Sequence, residues 1–224
     1  YTFGGEGADT ITIGNGNSVV IGDLGIVVPG NATDPNEDGS TPDILGRQQT
    51  SDGEALSNSD DTITVGNGNN VVMGTAGNDT VSIGDGLNTI FGDAGSVTRN
   101  RDDDYAIVRA ETVEEILGGN NHITVGDGTT YTFGGEGADT ITVGTGTSIV
   151  MGDIGKVITG NAINPKYDGS APDIVGRMLT SDGQSLSNSD DTITVGNGIH
   201  VVMGTAGKDT IVAGDGINTV FGDA

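Results

Sequence analysis

The sequence contains no cysteine and no tryptophan, and it is poor in basic, proline and aromatic residues. The absence of cysteine excludes a disulfide-stapled scaffold. Lys and Arg number 8 against 32 Asp and Glu, and the resulting formal net charge of −24 repels the phosphates of nucleic acids. Aromatic residues make up 4% and hydrophobic residues 33% of the 224 residues, which is little for a globular core. No apolar run is long enough to span a bilayer.

Glycine is the residue type in excess, with 41 residues in the chain, whereas its usual share is about 7%. Collagen is excluded, because glycine does not recur at every third position and there are only 5 prolines. The chain starts at Tyr1 rather than at Met, which we interpret as a fragment or a processed product. These features leave disorder or a repeat architecture, and the repetition of the sequence favours the second.

Repetition occurs at two levels. YTFGGEGADTIT starts at Tyr1 and again at Tyr131, an offset of 130 residues, and SNSDDTITVGNG recurs at the same offset from Ser57 to Ser187. Within this unit two nonapeptides alternate, as in GGEGADTIT followed by IGNGNSVVI, and one of each makes a coil of 18 residues. We call the first six residues of the GGEGADTIT type the first turn and those of the IGNGNSVVI type the second turn.

Three of the first turns are interrupted after their fourth residue by inserts at 26–59, 96–119 and 156–189. Each insert reads as a strand, a polar turn and a return strand, and therefore predicts a β-hairpin. One insert falls in every second coil, about 9.6 Å along the axis, which is also the width of a two-stranded hairpin. We therefore predict that the hairpins pair edge to edge into an additional sheet.

The strand segments alternate polar and apolar residues, as a half-buried strand does. Stacked coils place two columns of aliphatic side chains inside: Ile11, Ile63, Val81, Ile123, Ile141, Ile193 and Ile211, and Ile13, Val65, Ile83, Val125, Val143 and Val195. Strands after the second turns are apolar on both sides, and their outward strip includes Val71, Met73, Phe91, Tyr131, Phe133, Ile149 and Met151. Because a soluble monomer seldom exposes such a strip, either the hairpins cover it or another chain does, in a filament or bundle.

GGEGADTIT fits the pattern G-G-x-G-x-D-x-U-x, in which U is a large aliphatic residue, and so resembles the calcium-binding RTX nonapeptide. The resemblance covers the whole chain apart from the inserts. It implies a parallel β-roll whose ions sit between turns of successive coils, held by Asp and by carbonyls near the glycines. We predict an all-β chain: one continuous parallel β-solenoid over 1–224, with about 1.7 copies of the 130-residue unit and hairpin inserts in every second coil.

The sixth position of the first turns forms an acidic column: Asp9, Asp61, Asp79, Asn121, Asp139, Asp191 and Asp209. Two carboxylates about 4.8 Å apart repel by roughly 1 kcal/mol in water, and by more where they are dehydrated. Ca²⁺ between the coils would relieve this repulsion, because it accepts carboxylate and carbonyl oxygens together, whereas Mg²⁺ demands a stricter geometry. The alternative is that these residues only cap turns. Asn121 is expected to be a weaker position.

The interrupted first turns, here called split turns, carry Asp at their second position: Asp23, Asp93 and Asp153. Each of these residues either replaces a lost calcium ligand or caps the hairpin, and we include all three among the candidate ligands. The sixth position of the second turns holds no carboxylate but Ser18, Asn70, Asn88, Thr130, Ser148, His200 and Asn218. These turns are predicted to close through amide and hydroxyl hydrogen bonds with little or no metal. His200 is interpreted as a surface residue.

Neither His, Cys nor a recognisable acid–base pair forms a catalytic pattern, so we predict no enzyme activity. The expected function is a calcium-stabilised structural or adhesive segment of a long extracellular or cell-surface protein. Its partners would be calcium ions and, beyond them, further copies of itself in a fibre or bundle, or a cell surface. Two alternatives are an ice-binding solenoid, because T-x-T rows recur, and an accessory RTX module beside a secreted enzyme.

Overall fold

The computed structural model is an all-β chain wound into a parallel β-roll, flanked by a third sheet. It describes residues 1–28, 42–56, 59–100, 103–113, 118–159, 174–186 and 189–223. The polar turns predicted in the middle of the inserts lie outside these residues. The described part of the chain contains no helix, and therefore none that is long and apolar enough to cross a membrane.

Two parallel sheets form the roll, and the chain passes from one to the other in every coil. Sheet A has eight strands, in the order β1 (Thr2–Phe3), β3 (Ser18–Ile21), β7 (Gly68–Met73), β9 (Gly86–Phe91), β13 (Gly128–Phe133), β15 (Gly146–Met151), β19 (Gly198–Thr205) and β21 (Gly216–Asp223). Sheet B has seven strands, in the order β2 (Thr10–Ile13), β6 (Thr62–Val65), β8 (Thr80–Ile83), β12 (His122–Val125), β14 (Thr140–Val143), β18 (Thr192–Val195) and β20 (Thr210–Ala213).

The register of sheet B confirms the predicted inward columns. Ile11 pairs with Ile63, which pairs with Val81, and the same position continues to Ile211 at the other end of the sheet. The inward side chains of both sheets form one narrow core that is fully buried in its middle coils. The threonines of sheet B alternate with these aliphatic residues and face outward, as expected.

The third sheet, sheet C, is antiparallel and consists of the three hairpins. Its order is β17 (Ile174–Arg177), β16 (Ile154–Ile158), β11 (Asp103–Thr112), β10 (Gly95–Asn100), β5 (Ile44–Arg47) and β4 (Leu24–Val27). The hairpins are joined through Val97 opposite Ile44, and through Ala110 opposite Val157. The edge-to-edge pairing expected from the matched spacing is therefore present among the described strands.

Sheet C covers the outward face of sheet A and buries a second core. This core includes Met73, Phe91, Phe133 and Met151 from the roll, and Val97 from sheet C. Phe91 and Phe133 stack with their ring centroids 4.7 Å apart and their planes at 5°. The apolar strip between β3 and β15 is thus covered from within the chain, and the second explanation for it, packing on another chain, does not apply there.

The hairpins leave the split turns earlier than the insert boundaries predict. Their first strands begin at Leu24, Gly95 and Ile154, so the fourth-position glycine of each split turn lies in sheet C. A Cβ added at Gly95 would lie 2.4 Å from the ring of Phe91. Glycine at this position therefore allows the hairpin backbone to lie directly on sheet A.

Candidate metal-binding turns

The first turns lead from sheet A into sheet B and stack along one edge of the roll. In the uninterrupted turns the second and fourth residues have positive φ, as in Gly5 (106°) and Gly7 (104°). This conformation suits glycine because it has no Cβ. Thr75 (88°) and Thr205 (81°) hold the second position in two other coils, which is unusual for a β-branched residue.

The sixth-position side chains form a hydrogen-bonded ladder along this edge. The backbone N–H of each residue donates to Oδ1 of its counterpart in the next coil, for example from Asp9 to Asp61 at 2.7 Å and from Asp139 to Asp191 at 2.8 Å. Asn121 takes its place through its amide oxygen, which accepts the N–H of Asp79 at 2.8 Å. The structure therefore brings all the predicted residues of this column together.

The second carboxylate oxygen of every Asp in the ladder is buried and has no hydrogen-bond partner. These atoms are Oδ2 of Asp9, Asp61, Asp79, Asp139, Asp191 and Asp209. Each faces the first glycine of a turn and the carbonyl of the next such glycine: a Cβ added at Gly22 would lie 2.1 Å from Asp61 Oδ2 and 2.2 Å from the Gly74 carbonyl oxygen. Buried oxygens without a partner are costly, and a cation between the coils would supply one.

Burial raises the pKa of five of these carboxyl groups, and the negative charges of neighbouring carboxylates raise it further: Asp61, Asp79, Asp139, Asp191 and Asp209. The pKa of Asp61 rises to about 7, that of Asp79 to about 9 and that of Asp191 to about 10. The pKa of Asp139 is well above its usual value for the same reasons. The ionised column is therefore unfavourable in the folded chain without compensating positive charge.

The oxygens available in the column suit calcium better than a metal that is held by side chains alone. In the described part of the chain, no three His, Cys, Asp or Glu side chains form a group that could hold a metal ion. An ion in the column must therefore combine carboxylate oxygens with backbone carbonyls, and Ca²⁺ accepts this combination. The residues present fit the ion that the sequence predicts.

The split-turn carboxylates reach into the turn of the next coil. Asp23 Oδ2 accepts hydrogen bonds from Thr75 Oγ1 at 2.7 Å and from the N–H of Ala76 at 3.1 Å. Asp153 repeats this arrangement with Thr205 and with the N–H of Ala206 at 2.8 Å. These bonds tie the split turns to the neighbouring coil and hold Thr75 and Thr205 in their unusual conformation.

The other carboxylate oxygen of Asp23 and Asp153, Oδ1, differs from Oδ2 in its hydrogen bonding. Oδ1 of Asp23 and Oδ1 of Asp153 are buried without a hydrogen-bond partner. The hydroxyls of Ser59 and Ser189 lie beside these two carboxyl groups and lower their pKa, but they complete no hydrogen bond. Burial outweighs this effect, and the pKa of Asp153 is raised to about 6.

The second turns close through neutral groups, as predicted. Nδ2 of Asn88 donates to the Gly84 carbonyl at 3.0 Å, and Nδ2 of Asn70 donates to Oδ1 of Asn88 at 3.0 Å. The interpretation of His200 as a surface residue is wrong, since it is 1% exposed and bonds to Ser148 at 2.6 Å. It occupies the position of these asparagines, and this equivalence was the signal that it is buried.

A second ladder on the outer side of the first turns was not predicted. The fifth-position residues Asp60, Asn78 and Asn120 accept backbone N–H bonds of 2.8 Å from their counterparts in the next coil. The Asp190 carboxylate likewise accepts the backbone N–H of Lys208 at 2.9 Å. These residues are exposed, and their recurrence at one position of the coil was visible in the sequence.

The geometry defines a parallel β-roll with a column of calcium-type turns along one edge. In agreement, the family model described as the RTX calcium-binding nonapeptide repeat matches four segments of the chain, at 57–81, 65–98, 133–156 and 201–224. Over these four segments the chain matches a repeat that is described as calcium-binding. Comparison with curated proteins and with solved structures gave no match.

Proposed function

We propose that Ca²⁺ binds along the edge formed by the first turns and stiffens the roll into a structural or adhesive segment of a long extracellular or cell-surface protein. The observation that supports this is the column of buried Oδ2 atoms without hydrogen-bond partners. The candidate ligands are Asp9, Asp61, Asp79, Asp139, Asp191 and Asp209 in the ladder, with Asp23 and Asp153 in the split turns.

A bound calcium ion would supply the positive charge that the column lacks. The ladder fixes each carboxylate by bonding its Oδ1 to the preceding coil, so that Oδ2 is directed toward the glycine carbonyls. The first-position glycines, such as Gly74, leave the space that a Cβ would fill. The chain thus positions its oxygens before the ion arrives, which reduces the cost of binding.

Calcium that binds only the folded coil stabilises it by mass action, by about 2.7 kcal/mol per site when free calcium is about 100 times Kd. An RTX chain would therefore be least stable where calcium is scarce and would be stabilised outside the cell. The 130-residue unit can recur along such a protein, and copies of the chain or a cell surface would be its partners.

The proposed role is not enzymatic, since the RTX repeat is a structural calcium-binding repeat. Within this proposal, an accessory position beside a secreted enzyme is the alternative arrangement.

Circular dichroism of the 224-residue chain tests this proposal. We expect EGTA to weaken the strand signal and to lower the melting temperature, calcium to restore both on titration, and magnesium to restore them poorly. A chelator that leaves both the spectrum and the melting temperature unchanged would overturn the proposal.

A second candidate function is ice binding, which is favoured by the outer face of sheet B. Its threonines are exposed and in register between neighbouring strands, for example Thr62 with Thr80 and Thr140 with Thr192. Sheet C packs on the opposite side of the roll, against sheet A, and leaves these rows uncovered. His122, Ser82 and Val212 interrupt the rows. Thermal hysteresis of the calcium-loaded chain tests this function, and its absence would exclude it.

A further inference from the structure

Asn121 is the one ladder residue in the described chain that is not Asp, and its amide is oriented by the ladder itself. The atom facing the N–H of Asp79 must be an oxygen, because it accepts that hydrogen bond at 2.8 Å. The amide nitrogen therefore points the other way. It donates to Oδ1 of Asp93 at 3.0 Å and to the Gly134 carbonyl at 3.2 Å.

The amide nitrogen occupies the place that Oδ2 takes in the other coils. A Cβ added at Gly92 would lie 2.4 Å from Asn121 Nδ2 and 2.2 Å from the Gly134 carbonyl oxygen. The same construction one coil earlier, at Gly74, lies 2.3 Å from Asp79 Oδ2 and 2.1 Å from the Gly92 carbonyl oxygen. At Asn121, then, two amide hydrogens fill a position where the other coils hold an oxygen without a partner.

The second-position carboxylates of the three split turns differ in their hydrogen bonds, depending on whether the ladder residue of the same turn is Asn or Asp. Asp93 has hydrogen bonds at both oxygens, because Oδ2 accepts the N–H of Glu136 at 2.8 Å and Oδ1 accepts the amide of Asn121. In the other two split turns the corresponding pairs are Asp23 with Asp61, and Asp153 with Asp191. Each of these four residues is at most 1% exposed, and each has one oxygen without a hydrogen-bond partner.

The hydrogen bond from Asn121 Nδ2 to Asp93 Oδ1 places these two atoms 3.0 Å apart. Two carboxylate oxygens in equivalent places repel each other unless a cation or a proton lies between them. We propose that Asp23 with Asp61, and Asp153 with Asp191, each hold one calcium ion, and that the Asn121 amide replaces this ion beside Asp93. The calcium column is then divided into two blocks by a rung that needs no metal.

This inference rests on the proposed function, because it assumes that the column binds calcium. It predicts that the split turns of Asp23 and Asp153 bind calcium and that the split turn of Asp93 does not. Calcium binding by the column does not by itself require this difference. The competing explanation for Asp23 and Asp153 is that the hydroxyls of Ser59 and Ser189 rotate to satisfy their free oxygens. In that case the split turns take up no calcium, and substitution of Asp61 or Asn121 leaves the number of bound ions unchanged.

The test compares calcium stoichiometry in the 224-residue chain, measured by isothermal titration calorimetry and by metal analysis after gel filtration. Asn121→Asp is expected to bind one calcium ion more than the unsubstituted chain and to melt at a lower temperature in EGTA. Asp61→Asn copies the Asn121 arrangement into the first split turn, and is expected to bind one ion fewer and to melt at a higher temperature in EGTA. Asn120→Asp adds the same charge at the exposed neighbouring position and should leave the stoichiometry unchanged.

The outcomes separate this inference from the proposal on which it rests. If no variant binds calcium, the proposed function fails. If the unsubstituted chain binds calcium and Asp61→Asn binds the same number of ions, the inference about the split turns is wrong. Asp61→Asn decides the matter even if Asn121→Asp does not fold, because it removes a buried charge and is expected to fold more readily.

Discussion

At the scale of single residues, one side-chain atom distinguishes Asn121 from the aspartates of the ladder. The ladder residues share the same hydrogen bond through Oδ1, whether they are Asp or Asn. They differ in the second atom, which is an acceptor without a partner in Asp79 and a donor with two partners in Asn121. The ladder is therefore electrostatically unfavourable at the buried carboxyl groups of Asp61, Asp79, Asp139 and Asp191, and Asn121 adds no charge to it.

The raised pKa values predict how pH affects the calcium-free chain. The pKa of Asp61, Asp79 and Asp191 rises from 3.8 to about 7, 9 and 10, so the folded state binds protons more tightly than the unfolded state. Stability in EGTA is therefore greatest below the unfolded pKa and is lost as pH rises through the folded values. We expect the melting temperature in EGTA to fall steadily from pH 5 to pH 9.

The measurement is thermal melting followed by circular dichroism, starting at pH 5 because the sequence pI is about 4.1. The same series in saturating calcium is the control, and it should show no such fall, because calcium competes with protons for the same oxygens. A melting temperature in EGTA that rises with pH would contradict the burial of ionisable carboxyls.

At the scale of elements, the fourth-position glycine serves two purposes in the same motif. In an uninterrupted turn, such as at Gly77 (φ 104°), it provides the left-handed conformation. In a split turn, such as at Gly95, it lies in a strand of sheet C and packs on a side chain of sheet A. The same residue type at the same position of the repeat therefore has a different structural role in the two kinds of turn.

Gly95→Ala is expected to destabilise the chain by about 1–3 kcal/mol, because the added Cβ overpacks the second core. It would lie 2.4 Å from the Phe91 ring, which cannot move away easily because it stacks on Phe133. Gly14→Ala is the matched control: it meets nothing within 4 Å and its φ is not positive. The measurement is urea unfolding in saturating calcium, and equal effects of the two substitutions would show that sheet C does not press on sheet A.

At the scale of the whole molecule, the roll is a stack in which each coil contacts only its neighbours. Stability is then close to a sum of terms for coils and for the interfaces between them. In the 224-residue chain, β20 and β21 pair with β18 and β19, and Ile217 is 70% and Phe221 47% exposed there. The middle coils around β12 to β15 have neighbours on both sides and are covered by sheet C.

Hydrogen exchange of the calcium-loaded chain should follow this gradient. We expect backbone amides of β20 and β21 to exchange at least about tenfold faster than those of β12 and β13, because the end coil opens without disrupting the others. Mass spectrometry of peptic peptides measures this directly. Uniform protection from end to end would indicate a single cooperative unit instead.

Four features can be predicted from the sequence alone: the 18-residue coil, the two inward aliphatic columns, the acidic column and the spacing that lets the hairpins pair. These follow from periodicity, because residues at the same place in successive coils meet by translation. Three other features become visible in the folded chain: His200 is buried against Ser148, Asn121 bonds to Asp93, and Oδ2 of the ladder carboxylates has no hydrogen-bond partner. These features depend on which atoms of different coils face each other after the inserts have folded back, and that orientation is set by packing rather than by the repeat.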